Sequence, residues 1–376
     1  MLQVWQVFKY FLKLGATGFG GPVALVGMMQ RDLIDANHWV ESEKFKKVLP
    51  LLKAMPGAFS FQTAVYLGQE KAGRWGGFFA GLGLILPASI MMVILGVFLN
   101  RYGESTEVKY WIQGFQWGAI LLMLNAAHNL VNTYLNEVKF WLYIVIAFIL
   151  ASFFHFNEFA LILTIGMLSL LVELKKTDRR VLSVNVMGAS FLGSIFIIDQ
   201  APSLKNLFLI CFSSGSFVFG TGIAIAPMLE KYFVNQFHWI SHGDFISALS
   251  LSQMTPGPVL VIVTLIGYKV LGIQGAVLAT LGVYLSGWIH MLTWFPKVTN
   301  KLIQMKTIQN FLKGALAAVA VMIVVSIFDL STKADKPFMG IFIVMSLWIF
   351  NKKLKFSSWK VILLSGFIYR TLLFFL

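Results

Sequence analysis

Charge is what this chain has least of: only 12% of its 376 residues are Asp, Glu, Lys or Arg, roughly half the share of an ordinary soluble domain. With 58% hydrophobic residues and a mean hydropathy of +0.77, that scarcity excludes a soluble globular protein and leaves a polytopic helical membrane protein. Cysteine is almost missing. Cys211 stands alone, so neither a disulfide framework nor a Cys-based metal cluster can be built. The six histidines (His38, His128, His155, His238, His242, His290) are scattered, with no pair at metal-ligand helical spacing on one clear face, and no metal site is expected. Enzyme signatures are missing too: no His-Glu-x-x-His, no Gly-x-Ser-x-Gly, no phosphate-binding loop. Ser213-Ser214-Gly215 lacks an identifiable base, so it reads as packing, and no catalytic residue or cofactor is expected. Acids are fewer than bases, 16 against 30, for a net charge of +14. Cytoplasmic loops rich in Lys and Arg account for that excess without invoking an anionic partner. Lys9 and Lys13 interrupt the first apolar run, which has no small-residue cleavage site, so no signal peptide is expected.

What the chain does have is apolar length, regularly punctuated. About 20 residues cross 30 Å of hydrocarbon. Thirteen candidate stretches fall near 4–29, 44–70, 76–100, 110–133, 140–155, 157–173, 181–198, 204–229, 244–270, 273–296, 308–330, 337–351 and 356–375. The fifth, sixth and twelfth are short enough to be tilted, thin or hairpin elements. The basic cluster Lys175, Lys176, Arg179 and Arg180 is expected in the cytoplasm. If every stretch spans, the loop at 31–47 lies outside despite Arg31, Lys44, Lys46 and Lys47. Making the first two stretches re-entrant hairpins returns that loop to the inside and leaves the parity downstream unchanged.

The chain repeats itself. Phe19-Gly20 recurs as Phe219-Gly220, His38-Trp39 as His238-Trp239, Phe45 as Phe245, Pro56-Gly57 as Pro256-Gly257, and Gly114 as Gly314, always 200 residues on. Gly68 and Leu82-Gly83 return as Gly267 and Leu281-Gly282, 199 residues on. Six stretches per copy, with 181–198 between the copies, make an odd count. The second copy therefore enters the membrane from the opposite face. The expected fold is all-α, with two inverted-topology repeats joined by a linking helix and broken or re-entrant helices at the midplane. The division is 1–175 for the first repeat, 176–203 for the basic loop and linking helix, and 204–376 for the second. Amphipathic connectors at 31–46 and 231–246, with Trp39 and Trp239, suit the lipid–water interface.

Four breaks lie near stretch centres: Thr17-Gly18-Phe19-Gly20-Gly21-Pro22, Met55-Pro56-Gly57, Phe219-Gly220-Thr221-Gly222 and Thr255-Pro256-Gly257-Pro258. Pro inside a helix costs about 3 kcal/mol and Gly about 1 kcal/mol, and lipid cannot satisfy the freed backbone groups. Gly and Pro at these points read as the end of one half-helix and the start of another. A helix N-terminus in mid-membrane presents N–H groups and a positive dipole end, which is an anion site made of backbone.

The set Phe19-Gly20-Gly21-Pro22, His38-Trp39-Val40, Met55-Pro56-Gly57, Gln62 and Tyr66-Leu67-Gly68 resembles the chromate transporter family in its fused two-domain form. In the second half the matching stretches are Phe219-Gly220-Thr221-Gly222, Pro227-Met228-Leu229-Glu230, Trp239, Thr255-Pro256-Gly257-Pro258 and Ile266-Gly267-Tyr268. Ala58 and Thr221 depart from the family pattern, replacing a Pro and a Gly. The resemblance implies a multi-pass inner-membrane carrier of chromate, with sulfate as a second candidate, driven by a proton or another ion gradient. It also implies efflux that confers chromate resistance. Its partners would be the anion, the coupling ion and the bilayer, with no nucleic acid; a homodimer is left open.

A tetrahedral dianion needs several donors and some neutralising charge at mid-membrane. The candidates for binding are Gly20, Gly21, Lys53, Pro56, Gly57, Gln62, Gly220, Gly222, Thr255, Pro256 and Gly257, with Tyr66 as a further donor. Lys53 occupies the repeat position of Gln253 and is either a site cation or a lysine reaching out from a connector. Glu230 and Arg31 are the candidates for coupling or gating. A carrier of another small anion, such as an organic acid, and an intramembrane enzyme or scaffold are the alternatives.

Overall fold

The structure is a computed structural model describing residues 1–55, 57–132, 134–154, 157–173, 201–218, 222–295, 306–354 and 356–375. The expected linking helix at 181–198 lies outside them. Among the described residues the regular structure is entirely helical. The first half holds α1 (Leu2–Thr17), α2 (Gly21–Met29, continued by a π-helical turn Gln30–Ala36), α3 (Ser42–Ala54), α4 (Phe59–Tyr102), α5 (Thr106–Asn132), α6 (Val138–Phe153) and α7 (Glu158–Glu173). The second holds α8 (Leu204–Ser216), α9 (Ala226–Glu230, continued by a π-helical turn Lys231–Gln236), α10 (His242–Met254), α11 (Ile262–Ile289), α12 (Lys306–Thr332), α13 (Pro337–Leu354) and α14 (Ser358–Phe375).

The repeat seen in the sequence is a repeat in backbone. Both π-helical turns end at a histidine with positive φ, His38 at 50° and His238 at 53°. Gly57 and Gly257 share left-handed φ values of 124° and 93°. The α4 helix is continuous only by its hydrogen bonds: Ala72 and Gly73 leave helical geometry, as do Leu271 and Gly272 in α11. Both are sharp reversals. Gly68 packs directly on Gly76 and Ala80, and Gly267 on Gly275 and Ala279, while Thr264 and Thr280 meet at 2.7 Å across the second turn. Each helix is therefore an antiparallel hairpin, with arms 59–71 and 74–102 in α4. The boundary between the second and third apolar stretches was correctly read at this turn.

Arm length settles the course of the chain before it. The thirteen residues of α3 rise about 20 Å, as does the arm 59–71, and neither crosses 30 Å of hydrocarbon. Their outer ends come together, with Lys44 Nζ 2.6 Å from Glu70 Oε2. In the second half Lys269 Nζ stands 2.9 Å from Asp244 Oδ1. The ion pair recurs at repeat-related positions with its polarity exchanged. Such a partly exposed pair adds no more than about 1 kcal/mol; its value here is geometric, because it marks entrance and exit on one side. The pair α1–α2 folds back in the same manner, bringing Tyr10 to Asp32 at 3.1 Å and beside Trp39.

The long second arms hold the halves together. Gly77 lies against Leu292 and Gly81 against Trp288, so the second arm of α4 runs antiparallel to the chain through 288–292, and Gly96 lies against Tyr268 of the first arm of α11. The final helices are exchanged between halves. Gly114 and Gly118 of α5 sit on Gly366 and Ser365 of α14, and Gly314 of α12 sits on Ile165 and Ser169 of α7. Small residues allow the close helix approach that membrane bundles use in place of a hydrophobic drive. Outer faces of α6 and α13 expose Trp141, Val145, Phe148, Phe342, Met345 and Trp348, as a lipid-facing belt requires. Among the described residues, four helical stretches are long and apolar enough to cross a membrane: Phe59–Tyr102, Val259–Thr293, Gln309–Thr332 and Ser358–Phe375.

A side chain at either hairpin crossing should wedge the arms apart. Gly68→Leu and Gly267→Leu are expected to cost about 1–3 kcal/mol each, seen as a lower unfolding midpoint in detergent. Unchanged midpoints would mean that the arms do not press together.

Candidate functional site

Three of the four sequence breaks are described as turns between helices, at Gly20–Gly21, Gly57 and Gly257, while residues 219–221 of the other break lie outside the described residues. Gly20 and Gly21, at φ 115° and 78°, turn the chain into α2, whose first turn carries Pro22. Gly57 turns it into the arm beginning at Phe59, and Gly257 into the helical turn Val259–Val261 that leads to α11. Pro56 and Gly220 lie outside the described residues.

The tips are tied to one another across the halves. The Gly57 N–H donates to the Val218 carbonyl at 2.6 Å, and the Gly257 N–H donates to the Gly18 carbonyl at 2.9 Å. The two bonds are related by the 200-residue repeat. These amides are engaged, so they hold the tips in place. The first amides of the helices that begin at Gly21 and Phe59 have no partner within their own helix, and they lie at the positive end of its dipole.

Around the Gly57 tip the walls are tight. Gln62 is fully buried and packs against Gly57, where a Cβ would meet its Nε2 at 2.2 Å. Phe61 meets Tyr284 at a tilt and Trp288 edge to face, at 4.7 and 5.0 Å between ring centres, and Gly287 completes that floor. The Gly257 tip rests on Ala88 and on the carbonyls of Gly15 and Leu84. Thr255 is buried, its Oγ1 donating to the Ser252 carbonyl at 3.1 Å; Pro256 is buried next to it, and Gly222 is buried against Leu260 and Val259. Tyr66, named as a further donor, is buried near the mouth of its hairpin and faces Glu70 rather than the tip.

Equivalent positions differ in access. Val23 is 69% exposed and its counterpart Ile223 5%; Lys53 is exposed, while its counterpart Gln253 is buried, with Nε2 finding no partner among the described residues. Lys9, Lys13 and Lys46 are exposed where the second half has Leu209, Ser213 and Ile246. At these four positions the first half thus carries exposed lysines and the second half carries none. Arg31 is far out on the surface, 73% exposed and paired with Asp32 at 2.9 Å. Glu230 is 2% exposed, well inside, and accepts from Ser326 Oγ at 2.5 Å. The sequence singled out the tip glycines and Glu230 as candidates, and it did not mark Val218, the Phe61–Tyr284–Trp288 floor or Ser326, which the structure places beside them. The first acts through a carbonyl, which leaves no sequence mark. Ser326 had one faint sign, a hydroxyl within an otherwise apolar helix.

These features define a polytopic all-helical membrane protein with a two-part repeat. The profile described as chromate transporter matches residues 5–170 and 205–369. The chain is 31% identical over 318 residues to a chromate transport protein of Cupriavidus metallidurans, covering 83% of this chain and 79% of that one. It is 32% identical over 368 residues to a probable chromate transport protein of Synechococcus elongatus, covering 93% and 91%. Against a chromate transport protein of Pseudomonas aeruginosa the identity is 28% over 370 residues, covering 94% and 87%. No solved structure gives a significant match. The chain belongs to the chromate transporter family, whose members are transporters and not enzymes.

Gly21 and Gly57 separate backbone strain from crowding. An Ala at either must adopt a left-handed φ, at roughly 1–2 kcal/mol, but a Cβ on Gly21 meets nothing within 4 Å. Gly57→Ala is therefore expected to lower the unfolding midpoint more than Gly21→Ala does; equal shifts would show that the Gln62 contact is not felt.

Proposed function

We propose that this protein is a secondary transporter of a small tetrahedral oxyanion, chromate first and sulfate second, built from two inverted-topology repeats and working in efflux. The observation that carries the reading is the reciprocal bonding of the Gly57 and Gly257 tips to the opposite half. It supports an arrangement in which helix N-termini from both repeats face one shared central space. Chromate comes from the names of the relatives; the tips supply what any such dianion needs, amide donors and a positive potential in a poorly hydrated place.

The antiparallel second arms, with the tip hairpins folding back to the side on which they began, support an inverted second repeat. Re-entrant first and second stretches put the loop at 31–47 in the cytoplasm with its lysines, as the charge rule wants. Within this reading 1–175 and 204–376 are the two repeats, and 176–203 is the link between them. The carrier sits in the inner membrane.

Alternating access follows from the unequal exposure of equal elements. When one unit is used twice in opposite orientations, an open first half and a closed second half are two states of the same device, and exchanging them moves the opening to the other face. Lys9, Lys13 and Lys53 line the open route, where an anion is drawn in by the field before it meets the amides of the tips. Gly20, Gly21, Pro56, Gly57, Gln62, Gly220, Gly222, Thr255, Pro256 and Gly257 form the binding tips. Arg31, at the rim beside Asp32, gates approach, and an ion gradient drives the cycle.

A chromate-sensitive host is the direct test. Cells expressing the chain should grow at higher chromate and retain less labelled chromate than cells without it; equal growth and equal retention would sink the assignment. Lys53→Gln removes one charge from the route, worth about 1 kcal/mol in partly hydrated surroundings. It is expected to raise the half-saturating chromate concentration roughly fivefold, and an unchanged value would remove Lys53 from the path. In a Cys211→Ser background, Ala36→Cys and Gln236→Cys should react with an impermeant thiol reagent from opposite faces of the membrane. Labelling from one face would overturn the inversion.

A further inference from the structure

Glu230 belongs to a group of side chains distinct from the anion tips. It lines a cavity of about 380 Å³ between α7, α9 and α12, together with Glu158, Lys231, Asn235, Ser326 and Asp329. The charges there are mostly spoken for. Lys231 Nζ pairs with Glu158 at 2.9 Å, and Lys333 Nζ holds Asp329 at 2.6 Å and Asn235 at 3.2 Å. Glu230 is the exception. Its Oε2 accepts from the neutral Ser326 hydroxyl at 2.5 Å, while its Oε1 accepts no hydrogen bond among the described residues. From α10, His242 Nδ1 stops at 4.0 Å from Oε1, and neither ring nitrogen of His242 has a partner among the described residues. The side chain of Asp329 faces Glu230 as well.

We propose that Glu230 and Asp329 form a proton-binding carboxyl pair, with His242 as the group through which the proton arrives. Two carboxylates side by side, with Lys333 bound to one of them and Lys231 taken up by Glu158, hold a shared proton more readily than two negative charges. A metal cation fits less well. Lys231, Lys333 and His242 surround the pair, and no cluster of three or more His, Cys, Asp or Glu able to hold a metal is found among the described residues.

The repeat supplies an independent argument. Glu230, His242, Ser326, Asp329 and Lys333 correspond to Gln30, Ser42, Ala126, Asn129 and Thr133. The backbone framework occurs twice, the titratable set once. Protonation therefore acts on one half only and tilts an otherwise balanced exchange between the two access states, which is how a proton gradient is coupled to the movement of another solute. That coupling role rests on the transport reading above; proton binding itself does not.

Both parts can be measured on the full-length protein. Infrared difference spectra across a pH titration should show a carboxylic-acid carbonyl band that is missing in Glu230→Gln and returns in Glu230→Asp. In proteoliposomes, chromate accumulation driven by a pH gradient should fall at least tenfold more in Glu230→Gln than chromate–chromate exchange does, with Glu230→Asp recovering part of the loss. The same band in Glu230→Gln, or the same ratio of accumulation to exchange, would overturn the proposal. If Glu230→Gln does not yield folded protein, Asp329→Asn should alter the band, and an unaltered band there counts against the pair. Wild-type protein that exchanges no chromate would refute the anion reading, and the infrared titration would still decide the proton site.

Discussion

Two hydrogen bonds hold the centre of this protein: Gly57 N–H to Val218 and Gly257 N–H to Gly18. Inside hydrocarbon a backbone amide without a partner costs several kcal/mol, so a helix broken at mid-membrane needs a donor or acceptor from elsewhere. Here the broken elements of one half complete those of the other. Neither half could keep its tips in lipid alone. The same condition explains why α5 packs on α14 and α12 on α7: once the tips are shared, the surrounding helices are shared too.

Much of this architecture could be read from residue order because Gly and Pro mark backbone events directly. The reversals at Gly73 and Gly272, the helix α5 (Thr106–Asn132) and its counterpart α12 (Lys306–Thr332) fall close to the expected stretches. Whether a stretch crosses or turns back could not be read. Hydropathy registers how much apolar chain there is and says nothing of its direction. The stretch 44–70 is long enough to span, yet it is two arms of about 20 Å whose ends are joined by Lys44 and Glu70.

The site was legible in its glycines and less so in its chemistry. Gly57 and Gly257 were named as anion ligands, and both lie at the tips; that their own amides are committed to Val218 and Gly18 could not be foreseen, since a carbonyl acceptor is present in every residue. Lys53 was placed next to the break and does lie there, on an exposed face rather than in a buried pocket. Arg31 already has its acid, the adjacent Asp32, which leaves it at the rim. Glu230 stood out as an acid at the end of an apolar run. Its partners, Ser326 and Asp329, come from a helix nearly a hundred residues on, and only packing brings them together.

Backbone and side chains have diverged to different degrees between the halves, and the difference has a mechanical sense. A carrier that changes its open face needs two end states of nearly equal free energy, because a gap of even 3 kcal/mol would leave one of them rarely populated, at about 1 part in 150. The positive φ at His38 and His238, the paired tips and the pairs Lys44–Glu70 and Asp244–Lys269 repeat one framework in both halves, and on the transport reading proposed above that repetition supplies the balance without tuning. Balance alone moves nothing in a preferred direction. The side chains break it, with lysines at 9, 13 and 53 of one half where the other has Leu209, Ser213 and Gln253, and with Glu230 and Asp329 where the first has Gln30 and Asn129. A small charge difference laid on a nearly symmetric scaffold is enough to bias it, since each state needs to be favoured by only 1 or 2 kcal/mol at the right moment.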